Sequence, residues 1–260
     1  MQPLTFRKLA TIVLLLAPAA TAQWQNVRTS GVPRLPDGKP NLSASAPKAT
    51  DGNPDLSGIW NPESRFLRSL AVAMKPEDVP LQPWAEALYK RRLTGELSGE
   101  EPDANCLPQG VPKIDAAPAP WKVIQLPEEV VILYEAFTQF RQIFTDGRAL
   151  PAEPNPAWFG YSVGRWEGDT LVVESNGFNG KLWLDQEGRP STDALRVTER
   201  FRRKDFGHLE ITITIDDPKA YTKPWTVVQN PTLAVDTELI EFICNENNKD
   251  IPHMPVSGKP

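Results

Sequence analysis

Hydrophobic and polar residues alternate along most of the chain from Trp121 to Glu246. The run Leu209–Ile215 alternates Leu or Ile with Glu or Thr, which is the period-two pattern of a half-buried β-strand. Around Gly168-Asp169, two apolar runs flank a short turn and predict a β-hairpin. Nine or ten short strands can be traced in this way. The sequence therefore predicts an all-β fold, an antiparallel up-and-down barrel over residues 51–250, with a β-sandwich as the alternative.

One segment before the predicted sheet has the periodicity of a helix. In Pro83–Leu93, Trp84, Ala87 and Leu88 fall on one face at helical spacing, and the proline suits a first helical turn. This segment is predicted to be a single short helix. The surrounding residues 61–120 are rich in proline and are expected to wrap the outside or the mouth of the barrel, because so long an irregular stretch is unusual inside a compact domain.

Residues 1–22 have the three parts of a secretory signal peptide. Arg7 and Lys8 precede the apolar stretch Ala10–Ala19, and Ala20-Thr21-Ala22 fits the small-x-small cleavage pattern. An uncleaved anchor is the alternative, but the apolar stretch is shorter than the roughly 20 residues that span a bilayer. We therefore expect a periplasmic or secreted protein with no membrane span after cleavage.

The composition is that of one domain with a sizeable core. The 260 residues are 40% hydrophobic, and the formal net charge of -5 comes from interspersed acids and bases. Such a mildly acidic chain is not expected to bind nucleic acid, whose phosphates favour a concentrated basic face. Residues 23–50, rich in Pro, Ser, Gly and Ala, are predicted to be a flexible leader that forms an extended N-terminal arm. Residues 251–260 are predicted to be a tail.

Export changes the interpretation of the two cysteines. Cys106 lies in the irregular segment, and Cys244 ends a predicted closing strand, Thr237–Cys244. In an oxidising compartment the simplest interpretation is a disulfide, which would tie the wrapping segment to the last strand. A buried pair of thiols and a reactive thiol are the alternatives.

The candidate chemistry comes from polar residues in strands that are otherwise apolar. Glu199 shares a face with Leu and Val, and a carboxylate buried there must be paired, hydrogen-bonded or protonated. Glu135 and Arg141 would face each other if the chain reverses near residue 138. If these groups converge, one carboxylate is ionised and the other can act as acid or base, with Tyr134 and Tyr161 as hydroxyl donors. A structural ion pair is the alternative, and a third role for the arginine is to bind a ligand carboxylate.

A second candidate region is the loop between residues 177 and 193. It contains Trp183 and Asp185 and is predicted to be a lid that contacts a ligand. The chain has only two histidines, His208 and His253, and no nucleotide-binding or nucleophile-elbow motif. No metal site and no cofactor are therefore expected.

Several spaced motifs resemble one family. Pro54–Trp60, Gly164–Glu174 and Leu195–Phe201 resemble segments of largely uncharacterised exported bacterial proteins that are related to calycins, the class of lipocalins and fatty-acid-binding proteins. The resemblance implies a calycin-like barrel and supplies no catalytic residues. Some members carry His where Arg189 and Ser191 stand in this chain, and this departure argues against a His-centred mechanism.

The sequence leads to two main functional hypotheses. The first is an exported β-barrel that binds a small, mostly apolar or amphipathic molecule. The alternative is a metal- and nucleotide-independent enzyme, an isomerase, lyase or hydrolase, that uses Glu199 and Glu135 for acid–base chemistry. A purely structural or protein-interaction barrel is a third possibility.

Overall fold

Ten short strands dominate the fold in the computed structural model, which describes residues 27–246 and residue 249. The predicted signal peptide and residues 251–260 lie outside the described residues. The strands are β1 (Gly58–Asn61), β2 (Trp121–Gln125), β3 (Glu129–Tyr134), β4 (Gln139–Phe144), β5 (Tyr161–Glu167), β6 (Thr170–Asn176), β7 (Arg196–Arg203), β8 (Leu209–Asp216), β9 (Trp225–Gln229) and β10 (Thr232–Ala234).

All ten strands belong to one sheet in the order β10-β1-β2-β3-β4-β5-β6-β7-β8-β9. The sheet is largely antiparallel and curls through 268°, so it forms a half-barrel. The predicted all-β fold and its predicted hairpins are confirmed at this level. In the described residues, β10 and β9 are the two edge strands, at opposite ends of the sheet. Residues 230–231 connect them along the chain.

One junction departs from the antiparallel pattern. Strand β5 runs parallel to β4, and one residue pair, Phe144 with Val163, joins them in the ladder. Residues 145–160, which connect the two strands, contain three prolines. Proline cannot donate to a ladder, so this connection crosses over instead of forming a hairpin.

The concave face of the sheet is filled by side chains. The regular burial alternation of β8 places Leu209, Ile211, Ile213 and Ile215 in the core, as its sequence pattern predicted. Trp60 is fully buried in the same core, and its indole nitrogen donates to the Leu56 carbonyl at 3.0 Å. One apolar void in this core measures about 10 Å³. Eight apolar residues line it: Leu56, Val123, Val130, Ile132, Ile143, Leu171, Phe201 and Leu209.

Two helices precede the second strand. Helix α2 spans Pro83–Leu93, as predicted, but an additional helix α1 (Arg65–Arg68) was not predicted. The predicted buried face of α2 was wrong, because Trp84 is 47% exposed whereas Ala85 is fully buried. The Trp84 indole instead donates to the Lys219 carbonyl at the surface. None of the helices in the described residues is long and apolar enough to cross a membrane.

The wrapping segment contributes to the core of the sheet. It contains short 3₁₀ turns at Pro76–Asp78, Ser98–Glu100, Asp103–Asn105 and Lys113–Ala116. Phe66, Leu70 and Ile114 of this segment belong to the same hydrophobic cluster as the strands.

The predicted disulfide is confirmed, but its surroundings differ from the prediction. Cys106 and Cys244 are bonded, with their Cα atoms 5.6 Å apart. The predicted strand Thr237–Cys244 is wrong, since residues 235–243 have no regular secondary structure and the last strand is β10. The N-terminal arm lies against this irregular segment: Arg34 pairs with Asp236 at 2.7 Å.

Candidate functional site

Four strands point polar side chains into the core at one place. On β5 and β6, Ser162 and Ser175 are partners in the ladder. On β4, Arg141 points inward because Phe140 and Gln142 on either side of it point outward. On β7, the alternation that buries Val197 and Phe201 also buries Glu199.

Arg141 and Glu199 form a buried bidentate ion pair. Arg141 Nη1 and Nη2 donate to Glu199 Oε1 and Oε2 at 3.1 and 2.5 Å. The arginine also donates to Ser162 Oγ at 3.2 Å and to Ser175 Oγ at 3.0 Å. Arg141 is 2% exposed and Glu199 is 0% exposed. Such a pair is stable only with good geometry and further hydrogen bonds, and both conditions hold here.

A second carboxyl group lies beside this pair. Asp115 is contributed by the 3₁₀ turn Lys113–Ala116, and its Oδ1 accepts a hydrogen bond of 2.7 Å from the hydroxyl of Tyr134. Its Oδ2 is buried with no donor among the described residues. A proton held between Asp115 and Glu199 would satisfy this oxygen. These two residues are called the carboxyl pair below.

Burial and charge set the protonation states. Burial, and secondly the charge of Glu199, raise the pKa of Asp115 to about 7, against the opposing effect of Arg141. Burial and the neighbouring Asp115 raise the pKa of Tyr134 well above its usual value. Burial lowers the pKa of Arg141, but Glu199 outweighs this effect and raises it overall. The cluster therefore holds an arginine cation and, in Asp115, a carboxyl group that burial and the neighbouring Glu199 keep protonated to a higher pH than an exposed aspartate.

A cleft of about 260 Å³ opens beside this cluster, where β4 and β5 separate. We call it the seam cleft. Its lining comprises four aromatic residues, two residues of the buried cluster and two others: Phe140, Phe144, Phe159, Tyr161, Arg141, Ser162, Gln142 and Gly160. Phe140 is 63% exposed, a large fraction for a phenylalanine. The seam cleft therefore combines an aromatic wall with a polar floor.

The structure distributes the predicted site residues over four places. Arg141, Glu199 and Tyr134 lie together in the buried cluster. Tyr161 lies on the opposite face of the sheet, where its hydroxyl accepts from Arg148 at 3.0 Å. Glu135 does not join the cluster, because its Oε2 accepts from the backbone N–H of Ile240 at 3.0 Å.

Trp183 and Asp185 lie in a separate cluster near α2. Arg189 donates to Asp185 Oδ2 at 2.5 Å, and the backbone N–H of Leu70 donates to the same oxygen at 2.8 Å. The guanidinium of Arg92 lies 4.1 Å above the ring of Trp183. Asp185 therefore joins the loop to α1 through bonds within the protein.

The reversal between β3 and β4 explains how Arg141 reaches the core. The turn Ala136–Thr138 contains no glycine, yet Phe137 and Thr138 have φ values of +60° and +51°. Positive φ is uncommon for such residues. No sequence signal marks this turn, although the sequence argument required a reversal there.

Asp115 was not predicted from the sequence. It lies in a proline-rich stretch where charged residues are usually exposed, and nothing in its local pattern indicates burial. The neighbouring Lys113 is buried as well and pairs with Glu101 at 2.7 Å and with Asp103 at 2.9 Å. Lys113 and Asp115 would have indicated a buried polar site only if the sequence had shown that this turn is buried.

The described residues contain no group of three or more His, Cys, Asp or Glu side chains arranged to hold a metal ion. His208 lies at a turn, with its Nδ1 2.6 Å from an oxygen of Asp205, and His253 lies outside the described residues.

Comparison with protein-family models, with curated proteins and with solved structures found no match. Function is therefore inferred from the geometry of the chain itself.

Proposed function

We propose that this protein is an exported, calycin-like β-barrel protein that binds a small, mostly apolar molecule in the seam cleft. The observation that supports this proposal is the aromatic cleft between β4 and β5, with the buried Arg141 and Ser162 at its floor. Binding sites for small molecules are typically concave, mostly apolar and equipped with a few polar groups that fix orientation. The disulfide fits an oxidising compartment outside the cytoplasm.

The size of the interior void favours the seam cleft over the concave core as the binding site. A void needs about 10–15 Å³ to admit one water molecule, and the core void of about 10 Å³ reaches only the lower end of that range. The seam cleft is much larger, and its volume is near the lower end of typical ligand sites. A ligand of one or two rings is therefore the size class that fits.

The rim of the cleft favours an amphipathic ligand. Arg148 lies 4.0 Å above the ring of Phe144 and donates to the hydroxyl of Tyr161. It also pairs with Asp146 at 2.6 Å, so its charge is largely compensated. By contrast, the four hydrogen bonds of Arg141 all go to groups of the protein. A neutral polar substituent, such as a hydroxyl, suits this rim better than a strong acid.

This proposal can be tested with 1-naphthol as a probe, titrated by isothermal calorimetry. The wild-type protein should bind it saturably, and Phe140→Ala should weaken binding at least fivefold because the exposed aromatic wall is lost. Phe242→Ala is the matched control, since Phe242 is exposed but lies outside the cleft, and it should bind like the wild type. Equal weakening by both substitutions, or no saturable binding, would reject the cleft as the site.

A specific observation favours the enzyme hypothesis as the second candidate. A carboxyl group with a pKa of about 7 next to a carboxylate, with a tyrosine hydroxyl 2.7 Å away, is the arrangement that acid–base catalysis requires. Asp115 rather than Glu135 would be the second carboxyl group. Because Asp115 is fully buried, a substrate would have to enter past Ser162 at the floor of the seam cleft.

The enzyme hypothesis predicts turnover with a pH–rate inflection near 7. Hydrolysis of 4-nitrophenyl acetate would test the hydrolase form, with Asp115→Asn abolishing the activity and Glu135→Gln leaving it unchanged. A rate equal to that of the buffer, or an equal rate in Asp115→Asn, argues against a hydrolase that uses the carboxyl pair.

A further inference from the structure

A second and larger cleft lies between α2 and the segments on either side of Trp183. Its volume is about 470 Å³, and we call it the α2 cleft. The lining combines residues of α2 with polar residues of the two loop segments: Trp84, Leu88, Arg92, Asn179, Gly180, Lys181, Leu182, Pro190, Ser191, Thr192 and Asp193. It shares no lining residue with the seam cleft.

Arg92 is a half-buried cation without an acidic partner in this cleft. Its Nη1 donates to the Gly188 carbonyl at 3.0 Å, and its guanidinium stacks on Trp183. Its Nε is buried with no hydrogen-bond acceptor. Among the described residues, Arg92 forms no ion pair within 4.0 Å, and the acidic residues Glu100, Asp185 and Glu101 act on it only from longer range. Buried charges are normally paired, because desolvation of an unpaired ion is costly.

The backbone makes room for this arginine. Gly188 has a φ of +89°, and a Cβ placed on it would lie 2.6 Å from Cβ of Arg92. A side chain at position 188 would therefore push the end of α2 away from the loop. The close approach holds the stem of Arg92 against the loop at Gly188.

The other charges of the α2 cleft also favour an anion. Lys181 is exposed at its rim, and its ammonium group has no ion pair among the described residues. Asp193 is the acidic residue of the lining, and it is already paired with Lys219 at 2.6 Å. Burial lowers the pKa of Arg92 to about 10, which still leaves it charged at neutral pH. The lining therefore offers two cations, Arg92 and Lys181, that form no ion pair among the described residues, and its acidic residue is already paired.

We propose that the α2 cleft binds a small amphipathic organic acid, whose acid group pairs with Arg92 and Lys181 and whose apolar part packs on Trp84 and Leu88. Trp84 is half-exposed and Leu88 half-buried. They form an accessible apolar wall that lies about two turns and one turn, respectively, before Arg92. An arginine fork matches a carboxylate or a phosphate in geometry. The proposal is independent of the seam cleft.

The first experiment compares three probes with the same chain by isothermal calorimetry: octanoate, octyl phosphate and 1-octanol. At least one of the two acids should bind saturably and at least tenfold more tightly than the alcohol. The acid that binds more tightly identifies the preferred head group. Equal binding of the alcohol and both acids, or no saturable binding of either acid, would overturn the proposal.

Two matched variants on the same helix turn locate the acid group. Arg92→Gln should weaken the preferred acid at least tenfold, whereas Arg91→Gln should not, because Arg91 is exposed and pairs with Glu96. Phe140→Ala in the seam cleft should leave acid binding unchanged. If Arg92→Gln binds the acid as the wild type does, the assignment is wrong.

A third comparison keeps the proposal testable if Arg92→Gln does not fold. Leu88→Glu places a carboxylate four residues before Arg92, the favourable spacing for a helical ion pair, whereas Leu88→Gln removes the same apolar contact without a charge. The Glu variant should melt at a higher temperature than the Gln variant. Both variants should bind the acid more weakly than the wild type because the Leu88 contact is lost, and the Glu variant should bind it at least tenfold more weakly than the Gln variant. Equal melting temperatures and equal acid binding in the two variants would contradict the assignment.

Discussion

At the scale of single residues, the ion pair of Arg141 and Glu199 connects β4 to β7 through the core. Both side chains are buried, and Ser162 and Ser175 complete the hydrogen bonding of the arginine. Removing one partner of such a pair leaves a buried charge, and this typically costs about 3–5 kcal/mol. The ion pair therefore fixes the positions of Arg141 and Ser162, which line the seam cleft.

The raised pKa of Asp115 predicts how the stability of the folded protein depends on pH. The folded protein retains this proton up to a pH of about 7, whereas the unfolded chain releases it near 3.8. Folding therefore takes up a proton between these values, so this group contributes stability at low pH that is lost as the pH rises to about 7. In Asp115→Asn this contribution should be absent, because the amide cannot titrate.

The measurement is urea unfolding at pH values from 4 to 8. Between pH 4 and 7, the free energy of unfolding of the wild type should fall relative to that of Asp115→Asn by up to roughly 1 kcal/mol per pH unit. A constant difference between the two proteins over this range would show that Asp115 titrates normally in the folded state.

The sequence predicted part of this cluster for a clear physical reason. Strand periodicity alone buries Glu199, because the residues two positions away on either side are apolar. A buried carboxylate must be paired, hydrogen-bonded or protonated, and the sequence offered Arg141 and Glu135 as groups that could converge with it. Asp115 escaped prediction because it enters from an irregular segment, where no periodicity relates sequence position to burial.

At the scale of secondary-structure elements, the seam between β4 and β5 determines where a ligand can bind. A hairpin at this place would have closed the ladder, but the parallel crossover leaves one joined residue pair and an opening beside it. The hairpin of β5 and β6 was predictable from Gly168 and the flanking apolar runs. The seam was not, because pairing between strands separated by a long proline-rich connection has no local signal.

Helix α2 shows a similar limit. Its bounds follow from the proline at its start and the cluster of basic residues at its end. The sequence does not indicate which face of α2 is buried. The loop that contains Gly188 and Trp183 packs against Arg92, not against Trp84. Tertiary packing, not helical periodicity, selected this face.

The disulfide makes a prediction at the scale of the wrapping segment. Cys106 and Cys244 are separated by 138 positions, and a cross-link over so long a loop restricts the unfolded chain strongly. Replacement of both cysteines by serine should lower the free energy of unfolding by about 4–5 kcal/mol according to the chain-entropy model.

Denaturant unfolding of the oxidised wild type, of the wild type under reducing conditions and of the double variant checks this value. The last two should agree closely, since both lack the cross-link. A loss of stability below 1 kcal/mol in the double variant would mean that the wrapping segment is held by its packing alone.

At the scale of the whole molecule, a filled core pushes binding to the edges of the sheet. The apolar side chains on the concave face leave almost no interior space, and the sizeable clefts described above lie where elements meet. They differ in charge: the seam cleft is aromatic, and the cation at its rim is paired with Asp146, whereas the two cations of the α2 cleft form no ion pair among the described residues. One fold can thus present two sites for chemically different molecules.

Native mass spectrometry of the protein purified from its own host tests the central claim most directly. The account predicts a small molecule that stays bound during native ionisation, leaves on denaturation and is strongly reduced in Phe140→Ala but not in Phe242→Ala. Protein that is empty in every preparation, or protein whose adducts are all retained in full by Phe140→Ala, would contradict ligand binding in the seam cleft.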